Sequence, residues 1–161
     1  SSAASDVYKR QGFMAGDAGI LRKCTVGKQS TDVHTSNLTQ AIVDQYLRRG
    51  LLPDHITSIC RSYKAQLDAM LSELSTFPEG TTYTRPDGGL FIFVTLPEGI
   101  DAKVLLEQAV ERHVAYVPGT HFFCDGGHEN TLRLNFSNSS IAQIHEGMST
   151  LREIFAQALA K

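Results

Sequence analysis

Four side chains of the types that ligate transition metals, His121, Cys124, Asp125 and His128, share one glycine-containing loop. Their spacing matches no zinc pattern and no CxxC or HxxxH partner lies elsewhere, so a polar surface loop is expected and a metal is not. A covalent nucleophile has no better support. There is no GxSxG elbow, and Cys60 falls on an apolar helical stripe, where packing is expected. Asp87-Gly88-Gly89 precedes an apolar strand rather than a helix, so it is not a phosphate-cradling loop. It reads as a tight hairpin turn that uses positive φ. Arg133 is the most informative residue. In Leu132-Arg133-Leu134-Asn135-Phe136 it alternates with leucines, so on a strand it points away from their face. Two uses compete for it: a solvated strand-edge residue, or a fork that grips a carboxylate through two parallel hydrogen bonds.

The elements that must position these residues come from one domain's length of chain. The 161 residues are 42% hydrophobic and 20% charged, an ordinary globular balance that excludes disordered, collagen-like and disulfide-miniature classes. Fifteen Lys and Arg against seventeen Asp and Glu give a net charge of -2 without a basic run, which argues against nucleic acid as a partner. Three widely spaced cysteines, Cys24, Cys60 and Cys124, suggest a reducing compartment, and a cytoplasmic location is expected. No apolar stretch is long enough for a membrane span, and the N-terminus lacks the pattern of a signal peptide.

Along the chain, Ser1 to Gln11 is polar and aperiodic, and Gly12 to Gly16 fits a short strand. Ala18 to Gln29 is weakly helical. A helix from Asn37 is capped by Thr35 or Ser36 and stopped by Gly50. A longer one opens at Pro53-Asp54 and runs to Ser75, its face traced by Ile56, Ile59, Cys60, Tyr63, Leu67, Met70, Leu71 and Leu74. Thr81 to Thr84 and Leu90 to Leu96 read as strands, the second an unbroken apolar run expected to be covered on both faces. Asp101 caps a helix whose Val104, Leu105, Ala109 and Val110 are expected to face inward. Val114 to Val117 and Thr131 to Phe136 read as further strands. Ser139 or Ser140 starts a last helix carrying Ile141, Ile144, Met148, Leu151, Ile154, Phe155 and Leu159. The order from Pro53 suits an α+β layer of helices on a small sheet. The stretch from Gly12 to Gly50 cannot close a core alone and reads as the tail of a larger domain.

Several blocks, Gly12-Phe13-Met14-Ala15-Gly16-Asp17, KQSTDVHTSNLTQ (28–40), TRPDGGLFIFVTLPEG (84–99), VAYVPGTHFF (114–123) and ENTLRLNFS (129–137), together resemble the C-terminal part of fold type I, pyridoxal-phosphate-dependent aminotransferases. The likeness is to the branch with 2-aminoadipate and aromatic amino-acid enzymes. It implies a C-terminal small domain at 51–161, a remnant of the large cofactor domain at 12–50, and a non-native or disordered lead at 1–11. It also implies that Arg133 binds the substrate α-carboxylate, that Gly88 and Gly89 let the strand approach the substrate, and that Arg10 meets the cofactor phosphate. Asn37 would reach toward a neighbouring subunit's site in a homodimer. The family's cofactor-bonding lysine lies about seven residues before that arginine. Its slot here is near Ala3, and Lys9 is too close, so no catalytic residue is assigned within this chain. The implied activity is transamination between amino acids and 2-oxo acids by a longer protein, the segment alone being inactive. Two rival readings are an aminotransferase-like effector domain of a transcription regulator and a stand-alone α+β binding module.

Overall fold

The computed structural model describes residues 2–5, 11–31, 33–34 and 36–160, which divide into two compact units, 1–56 and 57–161. In the first, strands β1 (Ser2–Ser5) and β2 (Gln11–Met14) pair antiparallel, Ser2 opposite Met14 and Ser5 opposite Gln11. The sequence gives no sign of β1, because Ser-Ala-Ala-Ser has no apolar alternation; it is a strand only through its ladder with β2. Helix α1 (Ala18–Thr31) follows Asp17, whose carboxylate accepts from the Gly19 and Ile20 amides at 2.8 and 3.2 Å. Helix α2 (Asn37–Arg48) is capped by the Ser36 hydroxyl, and Gly50 follows its end at φ 68°, where a side chain would be strained. Neither helix buries a residue.

The helix α3 (Leu52–Leu74) leads into the second unit. There follow β3 (Thr82–Tyr83), β4 (Phe91–Thr95), α4 (Ala102–Glu111), β5 (Val117–Pro118), a 3-10 turn Gly119–Phe122, β6 (Thr131–Asn135) and α5 (Ile141–Leu159). The strands form one antiparallel sheet in the order β3-β4-β6-β5. This is the α+β arrangement expected, with helices on a small sheet. One sheet face supplies Ile92, Val94, Leu132 and Leu134 to the core. Met70 and Leu74 of α3, Ala102 and Ala109 of α4, and Ile144, Met148, Leu151, Ile154 and Phe155 of α5 pack against it, with Phe77, Leu96, Ile100, Tyr116 and Phe136 from the connections. Burying each large side chain contributes about 1.5–3 kcal/mol, which makes this face the main source of stability. Ser140 starts α5 with a capping box: its hydroxyl accepts from the Gln143 amide at 3.3 Å, and its own amide donates to Gln143 Oε1 at 2.9 Å. Tyr116 donates its hydroxyl to the Ala102 carbonyl at 2.7 Å, and burial, then the Asp101 carboxylate, push its pKa upward.

Several expectations are corrected. β4 is fully covered on one face only: Ile92 and Val94 are buried, while on the other face Phe93 is half-buried and Phe91 exposed. Val104 and Val110 of α4 are 68% and 53% exposed, and the inward stripe is Ala102, Leu105, Leu106 and Ala109, a rotation that small residues permit because they bring the helix close. On α3 only Met70 and Leu74 are buried, and Cys60 is exposed rather than packed, because the core reaches only the C-terminal turns of that helix. Of the strand expected over Val114–Val117, only Val117 pairs with β6, and the pairing runs on to Pro118. No helix among the described residues is long and apolar enough to cross a membrane.

Gly147 sits inside α5, and a Cβ there meets only Val114 methyls at 3.7 and 3.8 Å, an ordinary contact. Gly147→Ala is therefore expected to stabilise the chain by roughly 0.5–1 kcal/mol through helix propensity. A rise of the urea midpoint at unchanged slope is the expected reading; a fall would mean that α5 cannot accept the methyl.

Candidate functional site

Arg133 lies on β6, which has β4 on one side and β5 on the other, so it is not an edge residue. Its neighbours Leu132 and Leu134 are buried in the core, and alternation turns Arg133 to the opposite face of the sheet. Phe93 is its direct partner across β4 and Val117 its partner across β5. The guanidinium passes Phe93 to lie over the ring of Phe91, a diagonal neighbour, with 4.0 Å between guanidinium carbon and ring centroid. It lies also over Phe122, at 4.7 Å. Phe93 in turn meets Phe122 and Phe123 edge-on at 6.1 and 6.0 Å.

The turn carrying Phe122 is held by backbone fit. A Cβ on Gly119 would come within 2.6 Å of Thr131 Cβ and 2.9 Å of its carbonyl carbon, so only glycine lets the 3-10 turn lie this close to β6. Thr131 is buried, and its hydroxyl donates to the His128 carbonyl at 2.6 Å. His128, at φ 61°, stacks on Phe123 with ring centroids 3.8 Å apart. Phe91 and Phe122 thus face one cation, and Phe93 joins Phe122 to Phe123 beside it.

Among the described residues none accepts a hydrogen bond from that cation. Arg133 Nε is buried without a hydrogen-bond partner among the described residues. Gln66 Oε1 and Thr81 Oγ1 are likewise buried and unpaired, but Arg133 Nε is the one of the three on a charged group, where leaving a buried donor unsatisfied costs more than the usual figure of about 1–3 kcal/mol. A guanidinium offers its donors in the plane and its apolar faces to rings. With rings on the face and no acceptor at the edge, it is arranged to receive a planar anion such as a carboxylate.

The other expected site residues lie elsewhere. Gly88 and Gly89 are in the connection between β3 and β4, which spans 84–90 and is longer than a tight hairpin turn; Gly89 has φ 86° and Gly88 has no positive φ. They line a cleft of about 540 Å³ with Cys60, Tyr63, Lys64 and Phe136, and Arg133 is not on its wall. Nothing lies within 4 Å of where a Cβ would stand on either glycine. Asn37 is the first residue of α2 and is exposed. Arg10 lies outside the described residues. No group of three His, Cys, Asp or Glu among the described residues is arranged to hold a metal ion. The rings of Phe91 and Phe122 are the part of the site that sequence reading missed. The signal for Phe91 was its alternation with Ile92 and Val94; Phe122 has none, since only the turn after β5 brings it to β6.

Comparison with known proteins places these features in context. The family model for aminotransferase class I and II matches residues 8–151. The aromatic-amino-acid aminotransferase 1 of Thermococcus litoralis is 42% identical over 153 residues, covering 94% of this chain and 37% of that protein. The 2-aminoadipate transaminase of Thermus thermophilus is 37% identical over 152 residues, with 94% and 38% covered. The kynurenine aminotransferase of Pyrococcus horikoshii, solved with PMP and with kynurenine as substrate, superposes with a TM-score of 0.86 at 45% identity, covering 92% of this chain and 37% of that one. The chain thus spans little more than a third of the length of these relatives. With a family model matching most of its length and the same fold in a relative at 45% identity, the chain belongs to the class I and II aminotransferases.

Proposed function

We propose that this chain is the C-terminal segment of a pyridoxal-phosphate-dependent amino-acid aminotransferase, in which residues 51–161 form the small domain and 12–50 a remnant of the large one. The complete enzyme moves the amine of an amino acid to a 2-oxo acid, works as a cytoplasmic homodimer and uses Arg133 to hold the α-carboxylate. The observation that carries this reading is the buried, acceptor-free Arg133 Nε beside two aromatic faces. Arg133 is half-buried and of its nitrogens only Nε is enclosed, so a carboxylate bound edge-on at the guanidinium's outer nitrogens would fix the substrate's α-carbon relative to the reacting group, the orientation on which rate depends. Gly88 and Gly89 contribute open space at the end of β4, which leaves room for a substrate to approach the backbone. Arg10 would meet the cofactor phosphate and Asn37 a neighbouring subunit's site.

The cofactor, when bound, supplies the electron sink for this chemistry. The residues present fit the substrate's carboxylate but not the covalent attachment, because position 3, where the family's spacing calls for lysine, is alanine. No step through the cofactor is therefore assigned to this chain. Treated with pyridoxal phosphate and borohydride, the 161-residue chain is expected to show only scattered labelling of its lysines and no transamination. The same assay on the protein read from its upstream coding sequence is expected to label one upstream lysine and to aminate a 2-oxo acid. Stoichiometric labelling of a single lysine in the short chain would overturn the assignment.

A further inference from the structure

We infer that Phe122 is a positioning residue: its ring sets the plane of the Arg133 guanidinium, so that the arginine is oriented by aromatic faces rather than by a hydrogen-bond acceptor. This rests on the carboxylate-binding reading of Arg133. The physical problem is how a fork is aimed without being occupied. An acceptor from the protein would hold the guanidinium well but would consume the in-plane donors that a ligand needs. A ring contacts only the face and leaves every edge donor available. Arg133 shows this second arrangement, with its carbon 4.0 Å from the Phe91 centroid and 4.7 Å from that of Phe122, and with Nε buried and unpaired.

The two rings are not equivalent. Phe91 is fixed by the β4 to β6 ladder, opposite Asn135. Phe122 is held by the 3-10 turn, which comes close to the sheet at Gly119 on Thr131, and by its edge contact with Phe93 at 6.1 Å. Any movement of that turn moves Phe122 against the guanidinium while leaving the ladder intact. Phe122 thus owes its place to the seat of the turn on β6, and Phe91 to the ladder.

The test uses the 161-residue chain labelled with ¹⁵N at arginine, reading the Nε–H order parameter of Arg133 in the wild type, Phe122→Leu and Phe122→Tyr. Leucine keeps bulk without a π face; tyrosine keeps the face. In Phe122→Leu the order parameter is expected to fall from the rigid range of about 0.85 to below about 0.6. Phe122→Tyr is expected to keep the wild-type value, and the Arg112 and Arg152 signals, unchanged in both variants, report that the fold is intact. Titration with acetate, and with acetamide as the uncharged control, adds a second reading. Acetate alone should shift the Arg133 signal, and Phe122→Leu should need about fivefold more of it, as expected for loss of one partly desolvated cation–π contact. An order parameter equal in the wild type and Phe122→Leu overturns the inference. If the order parameter falls as expected but acetate leaves the wild-type signal unmoved, the positioning role stands and the carboxylate-binding role of Arg133 is what fails.

Discussion

Arg133→Lys in the complete enzyme is expected to lower kcat/KM for amino-acid donors by roughly 30-fold or more, while turnover of the matching amine without a carboxylate stays within about twofold of its low starting value. Truncating one partner of a buried, hydrogen-bonded charge pair costs about 2–5 kcal/mol. Lysine retains the positive charge, which places the expectation near the lower end of that range. What it loses is geometry: an ammonium is a point donor on a flexible stem and cannot make the two parallel bonds of a guanidinium edge. It also leaves the rings of Phe91 and Phe122, now within 5 Å of the guanidinium carbon, without a flat partner. The amine control separates this from misfolding. An amine offers Arg133 nothing to hold, so a variant that only lost the grip should spare it. Equal losses on amino acid and amine would show that Arg133 supports the sheet instead.

Gly119→Ala is expected to destabilise the chain by about 3 kcal/mol, at the upper end of the usual cost of overpacking. The new Cβ would stand 2.6 Å from Thr131 Cβ and 2.9 Å from the Thr131 carbonyl carbon. Backbone cannot swing aside as a flexible side chain can. Thr131 is moreover the first residue of β6 and is pinned through its amide and hydroxyl to the His128 carbonyl. The turn itself must then lift from the sheet, and Phe122 leaves Arg133 with it. Thermal unfolding should show a fall of roughly 4–8 °C for each kcal/mol lost in a unit of this size. A variant as stable as the wild type would mean that the turn has room to move that its close approach to β6 denies. Gly147→Ala, a substitution of the same chemistry in a roomy helix, is the matched comparison.

The periodic elements were legible because each carries its own signal. The α5 stripe from Ile144 to Phe155 repeats at helical spacing and begins at a Ser140–Gln143 capping box, so neither its existence nor its buried face needs tertiary information. The alternation of Leu132, Arg133 and Leu134 likewise fixed which way the arginine points, because a strand's period of two permits no other assignment once the leucines are buried. Three things were not legible, for one reason: they depend on what a residue meets rather than on its own neighbours in sequence. Val104 and Val110 look as apolar as Leu105, yet the closeness of Ala102 and Ala109 to the core decides which side of α4 turns inward. Cys60 shares a helical stripe with Met70 and Leu74, but the core ends before it reaches that turn. Phe122 and Phe91 lie 31 residues apart in sequence, and only the packing of Gly119 on Thr131 brings the second ring to the arginine. The sequence by itself therefore determined the helices, the strands β4 and β6, and the sheet face that carries Arg133. The tertiary structure alone decided that the guanidinium sits over two rings with a buried donor left unpaired, since cation–π contact and desolvation arise only when distant segments meet.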